Sequence, residues 1–334
     1  MSYDCEPVGP ADRDRWNDLV RDSPEATPFH LYEALETFAA ESGTTLHPLL
    51  TRKGQEPIGL FPVFERRVGP VPVAFSPPPN LKVEYMGPVL VERQSLKPRR
   101  RERNRAHLVE TAMEWVDDRI APRYINVRTS WQFDDPRPFV WRDWSLTPRH
   151  TYVVDLDRDP DDLFMAFSSD ARSNVRAAEE YDVDVYEGGP ETIESTFDLV
   201  RRRHEDQGVE FPVTADFFRR LYEACPDGVL RPYACDLDGE FVGGTLCLDF
   251  DDTVLTWSGT AERDVPISPN DLLGWHAMQA AMDRGRSHFD LVGANLERTA
   301  EYKAKFAPEL ERYYRLERAS TPARIAARAY DRVA

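Results

Sequence analysis

LRPYACDLDGEFVGGTLCLDFDD, residues 230–252, has the pattern of a β-hairpin, with two largely apolar runs joined by a tight turn at Gly239. A similar hairpin, LHPLLTRKGQEPIGLFPVFERR, occupies residues 46–67 and turns at Gly54. The two copies lie about 184 residues apart. A repeat at this distance predicts that the chain contains two copies of one structural unit.

The segments on both sides of the hairpin also repeat. Residues 15–43 and 196–228 each have the pattern of two helices that precede the hairpin. Residues 107–130 and 272–295 each have the pattern of a helix followed by a buried strand. Because a strand that follows a crossover helix pairs in parallel, this order predicts an α/β fold with a mixed sheet in each unit.

The same order predicts the domain boundaries. Between the copies lies a stretch rich in proline and tryptophan, residues 131–160, which favours a packed connection over a flexible tether. We place the first domain at residues 1–150 and the second at residues 151–320. Residues 321–334 are expected to form a short basic tail helix without a chemical role.

The charge of the chain indicates its habitat more than its partners. Asp and Glu number 59 against 42 Lys and Arg, only five of them lysines, and the net charge is −17. An acidic, lysine-poor composition resembles that of cytosolic proteins from salt-accumulating microbes. At molar salt the Debye length is about 3 Å, so this charge does not exclude nucleic acid as a partner. We expect a halophilic, cytoplasmic protein.

Several protein classes are disfavoured by patterns that the sequence lacks. No apolar run approaches the ~18 residues of a membrane span, and the N-terminus lacks the layout of a signal peptide. Without G-x-S-x-G, H-E-x-x-H or P-loop motifs, serine hydrolases, zinc proteases and P-loop enzymes are poor candidates. The cysteines have no metal-ligand spacing, so no metal site is expected and buried thiols are favoured. The alternative is a cross-hairpin pair of Cys235 and Cys247.

Four segments resemble the Fem family and the related CelD-like transferases, in which two GNAT folds follow one another. Residues 268–295 are similar to the family pattern N-x-L-x-W-x-A-x-x-x-A-x-x-x-G followed by an aromatic-Asp strand. EYKAKFAPEL, residues 301–310, resembles the segment aromatic-Lys-x-x-Phe-Gly. Residues 170–188 resemble the opening of the second domain, and residues 79–91 resemble the Y-x-G-P loop of the first. The resemblance covers nearly the whole chain and implies two tandem GNAT domains.

Departures from the family pattern bear on the acyl donor. Acetyl-CoA-using GNAT enzymes carry a glycine-rich loop before the crossover helix, where backbone N–H groups hold the pyrophosphate. The equivalent loops here, residues 262–271 and 92–104, contain no glycine. The family's Phe-Gly is replaced by Phe306 and Ala307, and the long helical arm of the staphylococcal Fem ligases is missing. No tightly bound cofactor is expected, and the donor is acetyl-CoA or an aminoacyl-tRNA.

Three hypotheses for function follow. The first is a Fem-like N-acyltransferase that moves an acyl or aminoacyl group to a small-molecule or peptide acceptor, with tRNA as a candidate donor. Its acceptor is an amine of an envelope precursor, a peptide or a nucleotide sugar. The second is an acetyl-CoA-dependent, CelD-like acetyltransferase acting on a carbohydrate-type acceptor. The third is a non-catalytic binding protein.

The candidate catalytic residues are Lys303, Lys305 and His204. The resemblance implies that Lys303 lies at the active site, where a fixed cation offsets charge that develops on the acyl oxygen. The alternative for both lysines is a solvated surface position. His204, next to Glu205, is a candidate acid–base group, although no residue stands out as the general base.

Two pairs of polar residues are candidates for substrate binding. Arg172 and Arg176 lie four residues apart, so they share a helix face that binds phosphates or pairs with neighbouring carboxylates. Asn270 and Asn295 stand at the start of the crossover helix and after the following strand. Each contacts substrate or acts as a cap.

Three aromatic residues and one basic run complete the set. Tyr302 is implied by the resemblance, and Trp257 and Tyr85 are expected on equivalent strands beside a cleft, where core packing is the alternative. The basic run at residues 97–105 binds RNA or phosphate, or is an exposed loop. Since the strongest motifs lie in the second copy, we expect that copy to be catalytic.

Overall fold

Both predicted hairpins are present in the computed structural model, which describes residues 2–92, 95–205, 208, 211 and 213–319. Asp238 and Gly239 turn the second hairpin with φ values of 53° and 78°. Two left-handed residues in succession match the right-handed twist of the flanking strands. The predicted tail helix at residues 321–334 lies outside the described residues.

The chain divides into two units. Within the described residues, the first comprises those up to Arg149 together with Arg312–Ala319, and the second comprises those of His150–Glu311. The predicted second domain extended to residue 320, whereas Arg315–Ala319 pair with a strand of the first unit.

The first half of the chain alternates short helices and strands in the predicted order. Its elements are β1 (Tyr3–Pro7), α1 (Arg13–Arg21), α2 (Tyr32–Ser42), β2 (Thr45–Lys53), β3 (Glu56–Val68), β4 (Val71–Ser76), β5 (Val89–Leu90), α3 (Pro98–Arg119), β6 (Tyr124–Arg128) and α4 (Arg137–Val140).

The second half repeats this order and ends with a strand that returns to the first unit. Its elements are β7 (Ser145–Asp155), α5 (Pro160–Ala166), α6 (Ser169–Ala177), β8 (Val183–Glu187), α7 (Pro190–Glu205), α8 (Ala215–Ala224), β9 (Leu230–Leu237), β10 (Glu240–Phe250), β11 (Thr253–Ala261), α9 (Pro269–Asp283), β12 (His288–Asp290), α10 (Glu297–Lys303) and β13 (Glu309–Ala319).

The two units share one strand order. In the first unit it is β1-β2-β3-β4-β6-β13, and in the second it is β8-β9-β10-β11-β12-β7. Neighbouring strands are antiparallel except for one parallel pair in each unit, β4 with β6 and β11 with β12. The predicted mixed α/β fold and the predicted duplication are therefore confirmed.

The core of the second unit is built between α9 and the sheet. Leu273, Ala277 and Met278 of α9 pack in one cluster with Cys235 and Cys247 of the hairpin strands. All four cysteines are free thiols, and burial raises the pKa of Cys235 and Cys247 to about 12. Buried, protonated thiols are poor nucleophiles, as the apolar-core interpretation requires.

The two units differ where the parallel strands end. In the second unit, β12 pairs with β11 only at Thr253–Leu255 within the described chain, and β11 continues to Ala261. We call Thr256–Ala261 together with the turn Leu291–Gly293 the fork. Val292 and Gly293 turn the chain away from β11 with φ values of 49° and 81°.

In the first unit the same position is filled by the chain itself. After Ser76 pairs with Val127, the chain loops out and returns, and Met86 forms the next parallel bridge, with Thr129. Val89 and Leu90 then pair with β3. We call Met86–Leu90 the sealing segment, because it occupies the place that the fork leaves open.

Candidate functional site

A β-bulge lies on the open part of β11. Leu246 pairs with Ser258 and Cys247 pairs with Thr256, so Trp257 is an extra residue on β11. Bulges bend a strand, increase its local twist and redirect its side chains. The bulge thus coincides with the point beyond which β11 has lost β12 as a partner.

A pocket of about 220 Å³ lies beside the open part of β11. Helix α7 and strand β11 provide its walls, and the lining residues are Val200, Arg203, His204, Phe211, Ser258, Gly259 and Thr260. The close approach of α7 to the sheet depends on Gly244, since a Cβ there would lie 2.1 Å from the Thr196 hydroxyl. The sequence thus brings a histidine and an arginine from one helix to the edge of the fork.

One ring nitrogen of His204 forms a hydrogen bond within helix α7. Its Nδ1 lies 2.9 Å from the Val200 carbonyl oxygen, one helical turn earlier. A carbonyl only accepts, so Nδ1 carries the proton and Nε2 holds the lone pair in the neutral ring. The ring also packs against Phe211, with 4.8 Å between centroids. His204 therefore lines the pocket with Nδ1 held within the helix, and Nε2 is the nitrogen that can accept a hydrogen bond in the neutral ring.

Arg203 joins α7 to the end of β11. Its Nη1 donates to the Thr260 hydroxyl at 2.5 Å and to the Ala261 carbonyl oxygen at 2.9 Å. Burial is the main cause that lowers the pKa of this guanidinium, followed by the charge of Arg263, while Glu262 opposes the shift and Arg298 adds a smaller lowering effect.

The turn that follows β12 is fixed by a buried network. Asp290 is fully buried, and its Oδ1 accepts from the Thr151 hydroxyl at 2.6 Å and from the Val292 amide at 2.7 Å. The Gly293 amide donates to Thr151 Oγ1 at 2.9 Å. Lys303 Nζ donates to the carbonyl oxygens of Val292 and Gly293 at 2.5 and 2.9 Å. Lys303 thus holds one arm of the fork.

Lys305 belongs to a second buried cluster, at the start of α9. Its Nζ lies 3.3 Å from Asp271, whose side chain also accepts from Asn174 at 2.7 Å. Tyr302 lies beneath the Lys305 ammonium, with 5.0 Å from Nζ to the ring centroid. Burial and the adjacent Asp271 carboxylate raise the pKa of Tyr302 far above its usual value. Lys305 and Tyr302 therefore lie together around a buried carboxylate.

The start of α9 is poorly equipped to hold a pyrophosphate. Pro269 has no N–H, and the amides of Asp271 and Leu272 both donate to the Ser268 carbonyl oxygen. The Asp271 carboxylate adds negative charge at the helix end that attracts anions. Asn270 is exposed and is the second residue of α9, whose N-cap residue is Ser268, so Asn270 is not the cap.

The remaining polar candidates contact backbone. Arg172 Nη1 donates to the carbonyl oxygens of Met165, at 3.0 Å, and Phe167. Arg176 lies over the Phe164 ring, with 5.3 Å from the guanidinium carbon to the centroid. The Asn295 side chain accepts from the His150 amide and donates to its carbonyl oxygen, so it extends the strand pairing.

Trp257 and Tyr85 are packed in the core, the alternative expected from the sequence, although Tyr85 is not on the expected strand. Trp257 is 8% exposed and packs edge-on against Phe217 and Phe218. Tyr85 lies in the loop between β4 and β5, not on β4, and is fully buried against Tyr313. Tyr85 has no exposed surface for a ligand.

The basic run at residues 97–105 begins helix α3 and is largely paired within the first unit. Arg105 is buried and contacts Glu25 and Asp134, and Arg101 contacts Glu92 at 2.6 Å. These pairs neutralise much of the charge that a nucleic acid would bind.

Neither a metal site nor a membrane span is present among the described residues. Within them, no three His, Cys, Asp or Glu side chains are grouped as metal ligands. No helix in the part of the chain that the structure describes is long and apolar enough to cross a bilayer.

Three residues of this region were missed by sequence analysis. Thr151 and Asp290 lie 139 residues apart, and no local pattern links them. Arg203 stands in a run of three arginines, and only the fold distinguishes it from its exposed neighbours.

Comparison with known proteins supports the identity of the second unit. The family model of the acetyltransferase (GNAT) domain matches residues 165–304. No curated protein sequence matches the chain.

Solved structures match nearly the full length. FemX has a TM-score of 0.73 at 13% identity, covering 94% of this chain and 97% of its own. The C-terminal domain of a putative lysylphosphatidylglycerol synthetase from Agrobacterium fabrum has a TM-score of 0.59 at 13% identity, with 95% of each chain covered. A tandem GNAT protein from the clavulanic acid biosynthesis pathway has a TM-score of 0.52 at 14% identity, covering 95% of this chain and 98% of that one. The chain therefore has the fold of the Fem-like tandem GNAT proteins and carries, in its second unit, an acetyltransferase domain of the GNAT superfamily of acyltransferases.

Proposed function

We propose that the chain is an N-acyltransferase that moves an acyl or aminoacyl group to an amine, with the fork of the second unit as its active site. The observation that carries the proposal is the open edge of β11 beside a pocket that contains His204. His204 and Ser258–Thr260 of β11 line the same pocket, which supports the proposal.

The open edge of β11 is the proposed donor site. Thr256 and Ser258–Ala261 pair with β10, whereas β12 pairs with β11 only as far as Leu255 within the described chain. Main-chain N–H and C=O groups at an open strand edge bind ligands through hydrogen bonds. An edge N–H also stabilises the negative charge that develops on an acyl oxygen.

The proposed reaction needs no covalent enzyme intermediate. The acceptor amine attacks the acyl carbonyl carbon, a C–N bond forms, and the bond to the donor oxygen or sulfur breaks. His204 Nε2 takes the proton that the amine loses, and that proton then passes to the leaving alkoxide or thiolate, which departs as the alcohol or thiol. The turn held by Lys303 and Asp290 fixes the opposite arm of the fork.

We favour a Fem-like donor, an aminoacyl ester of tRNA, over acetyl-CoA. At the start of α9 a proline, a buried carboxylate and two committed amides replace the pyrophosphate cradle. A ribose ester needs no pyrophosphate site there. The proposed acceptor is an amine of an envelope precursor, a peptide or a nucleotide sugar, at work in the cytoplasm.

Acetyl-CoA-dependent, CelD-like transfer to a carbohydrate-type acceptor is the second candidate. The match of residues 165–304 to an acetyltransferase family model favours it.

One assay tests both donors. Purified chain is incubated in high salt with radiolabelled aminoacyl-tRNA or radiolabelled acetyl-CoA and a panel of amines, and amide-bound label is measured. Label from aminoacyl-tRNA supports the first candidate, and label from acetyl-CoA supports the second. If neither donor yields labelled amide, the proposed function is wrong.

A further inference from the structure

The starting point is an arginine in the pocket without an acidic partner. Among the described residues, no carboxylate lies within 4.0 Å of the Arg203 guanidinium. Its neighbours on α7 are paired, Arg201 with Asp198 at 2.9 Å and Arg202 with Glu262 at 3.5 Å. In a chain with 59 acidic and 42 basic residues, a partly buried guanidinium without a counter-ion needs an explanation.

The electrostatic surroundings of Arg203 also favour an anion. Burial lowers the pKa of Arg203, and the charge of Arg263, which follows β11 by two residues, lowers it next. Glu262 opposes this effect but pairs with Arg202, and Arg298 of α10 adds a smaller lowering effect. A guanidinium that is destabilised by burial and by like charges is stabilised when an anion binds to it.

The pocket also limits the size of the group that binds. Its volume of about 220 Å³ exceeds several-fold the ~30 Å³ that one water occupies in the liquid. A carboxylate or phosphate on a short chain fits such a space. Arg203 and His204 are consecutive residues of α7, so an anion on one and an amine on the other would lie close together in one molecule.

We infer that the acceptor carries an anionic group, carboxylate or phosphate, a few bonds from its reacting amine, and that Arg203 binds this group. The inference rests on the proposed function and names the acceptor class of the same site. A guanidinium matches carboxylate and phosphate geometry with two parallel hydrogen bonds. Arg263 and Arg298 add attraction that weakens as salt screens it.

The test measures binding to the full chain of three amines that differ only at the far end. They are O-phosphoethanolamine, β-alanine and ethanolamine, and NMR saturation transfer or calorimetry gives their affinities. We expect at least one anionic amine to bind tenfold or more tightly than ethanolamine, with the tighter of the two identifying the anion. Equal affinity for ethanolamine, or no binding of any of the three, overturns the inference.

Three variants show whether Arg203 binds the anion. Arg203→Gln is expected to lose at least tenfold in affinity for the anionic amine, whereas Arg202→Gln, the same charge change on an exposed neighbour, stays within twofold. Arg203→Lys keeps the charge, and it is expected to retain part of the affinity and to report if Arg203→Gln does not fold. Unchanged affinity in the Arg203 variants contradicts the assignment.

Measurements of binding and of transfer distinguish a failure of this inference from a failure of the proposed function. If the anionic amine binds through Arg203 but no donor yields an amide, the proposed function is wrong and the anion site stands. If ethanolamine is acylated as readily as its anionic analogues, the function stands and the inference is wrong.

Discussion

In the first unit, the parallel ladder between β4 and β6 continues because Met86 takes the next position beside Thr129. In the second unit, the ladder between β11 and β12 stops at Asp290. The connection before the crossover helix spans residues 77–97 in the first unit and residues 262–268 in the second. The longer connection of the first unit includes residues that return to the sheet, whereas the connection of the second unit is too short to do so.

Each unit also has a buried residue near this position whose hydroxyl donates to a carboxylate. In the first unit the Tyr313 hydroxyl donates to Glu84, and in the second the Thr151 hydroxyl donates to Asp290. In the first unit Gly87 of the sealing segment is also tied to buried His30, whose Nε2 lies 3.3 Å from its carbonyl oxygen. The same strand order therefore gives a closed sheet in the first unit and an open strand edge in the second, and the difference lies in the length of the connection before the crossover helix.

The largest effect is expected at His204. His204→Gln removes the proposed base, and general-base catalysis contributes roughly 10²–10⁴-fold, so kcat should fall by that factor. The measurement is the transfer rate with whichever donor supports turnover. His47→Gln in the first unit, where the ring contacts Glu65, is the matched control and should keep the normal rate. A His204→Gln enzyme with full activity would remove the base from this account.

Lys303→Met is expected to have the next largest effect. It keeps the volume but loses two charge-assisted hydrogen bonds to the turn after β12, so unfolding free energy should fall by about 2 kcal/mol. Transfer should slow about tenfold or more, since misplaced groups are costly to catalysis. Urea denaturation and rate measurements check both.

Lys53→Met, which removes a cation beside the Tyr3 ring in the first unit, is the control and should leave transfer unchanged. Normal transfer by Lys303→Met would show that the turn need not be held for catalysis.

The free energy of unfolding is expected to depend on pH through His30 of the first unit. Burial lowers the pKa of His30 to about 4, below the unfolded value of about 6.5. Between these values the unfolded state binds more protons, so stability falls as the pH falls. From pH 7 to pH 5 this loss is about 2 kcal/mol.

The measurement is urea denaturation at both pH values for the natural protein and for His30→Asn, which cannot titrate. The drop should be about 2 kcal/mol smaller in His30→Asn. His107→Asn, at a partly exposed position, is the control. An identical pH dependence in His30→Asn and the natural protein would rule out this role of His30.

The smallest effects are expected for two variants that each remove one hydroxyl, one variant in each unit. Tyr313→Phe loses a hydrogen bond to the partly exposed Glu84 carboxylate, and Thr151→Val loses the hydrogen bonds to buried Asp290 and from the Gly293 amide. Each variant should cost roughly 1–3 kcal/mol of unfolding free energy. Only Thr151→Val should also slow transfer, because only Asp290 fixes the turn of the fork. Equal slowing by both variants would remove the distinction between the units.

The scaffold could be predicted from the sequence because its signals are local. The hairpin turns at Gly54 and Gly239 and the periodic helices specify strand order within each unit, and both copies confirm it. The prediction that Tyr85 lies on a strand was wrong. The path of the chain there depends on contacts of the sealing segment with β3 and β6, and no local sequence pattern indicates these contacts.

The site was less accessible to sequence reasoning. His204 was a candidate from the sequence. Its hydrogen bond to the Val200 carbonyl oxygen and the pocket that it forms with Phe211 and β11 depend on the fold, so the sequence did not reveal them. The partners of Lys303 are carbonyl oxygens, which every residue has, so no sequence pattern reveals them.

Hydrogen–deuterium exchange with and without donor tests the central claim, that the fork is the donor site and the sealing segment is not. Aminoacyl-tRNA and acetyl-CoA are added separately to the full chain, and amide exchange is followed by mass spectrometry. The account predicts slower exchange at Thr256–Ala261 with the productive donor and no change at Met86–Leu90. Protection of the sealing segment, or of neither stretch while transfer proceeds, would contradict it.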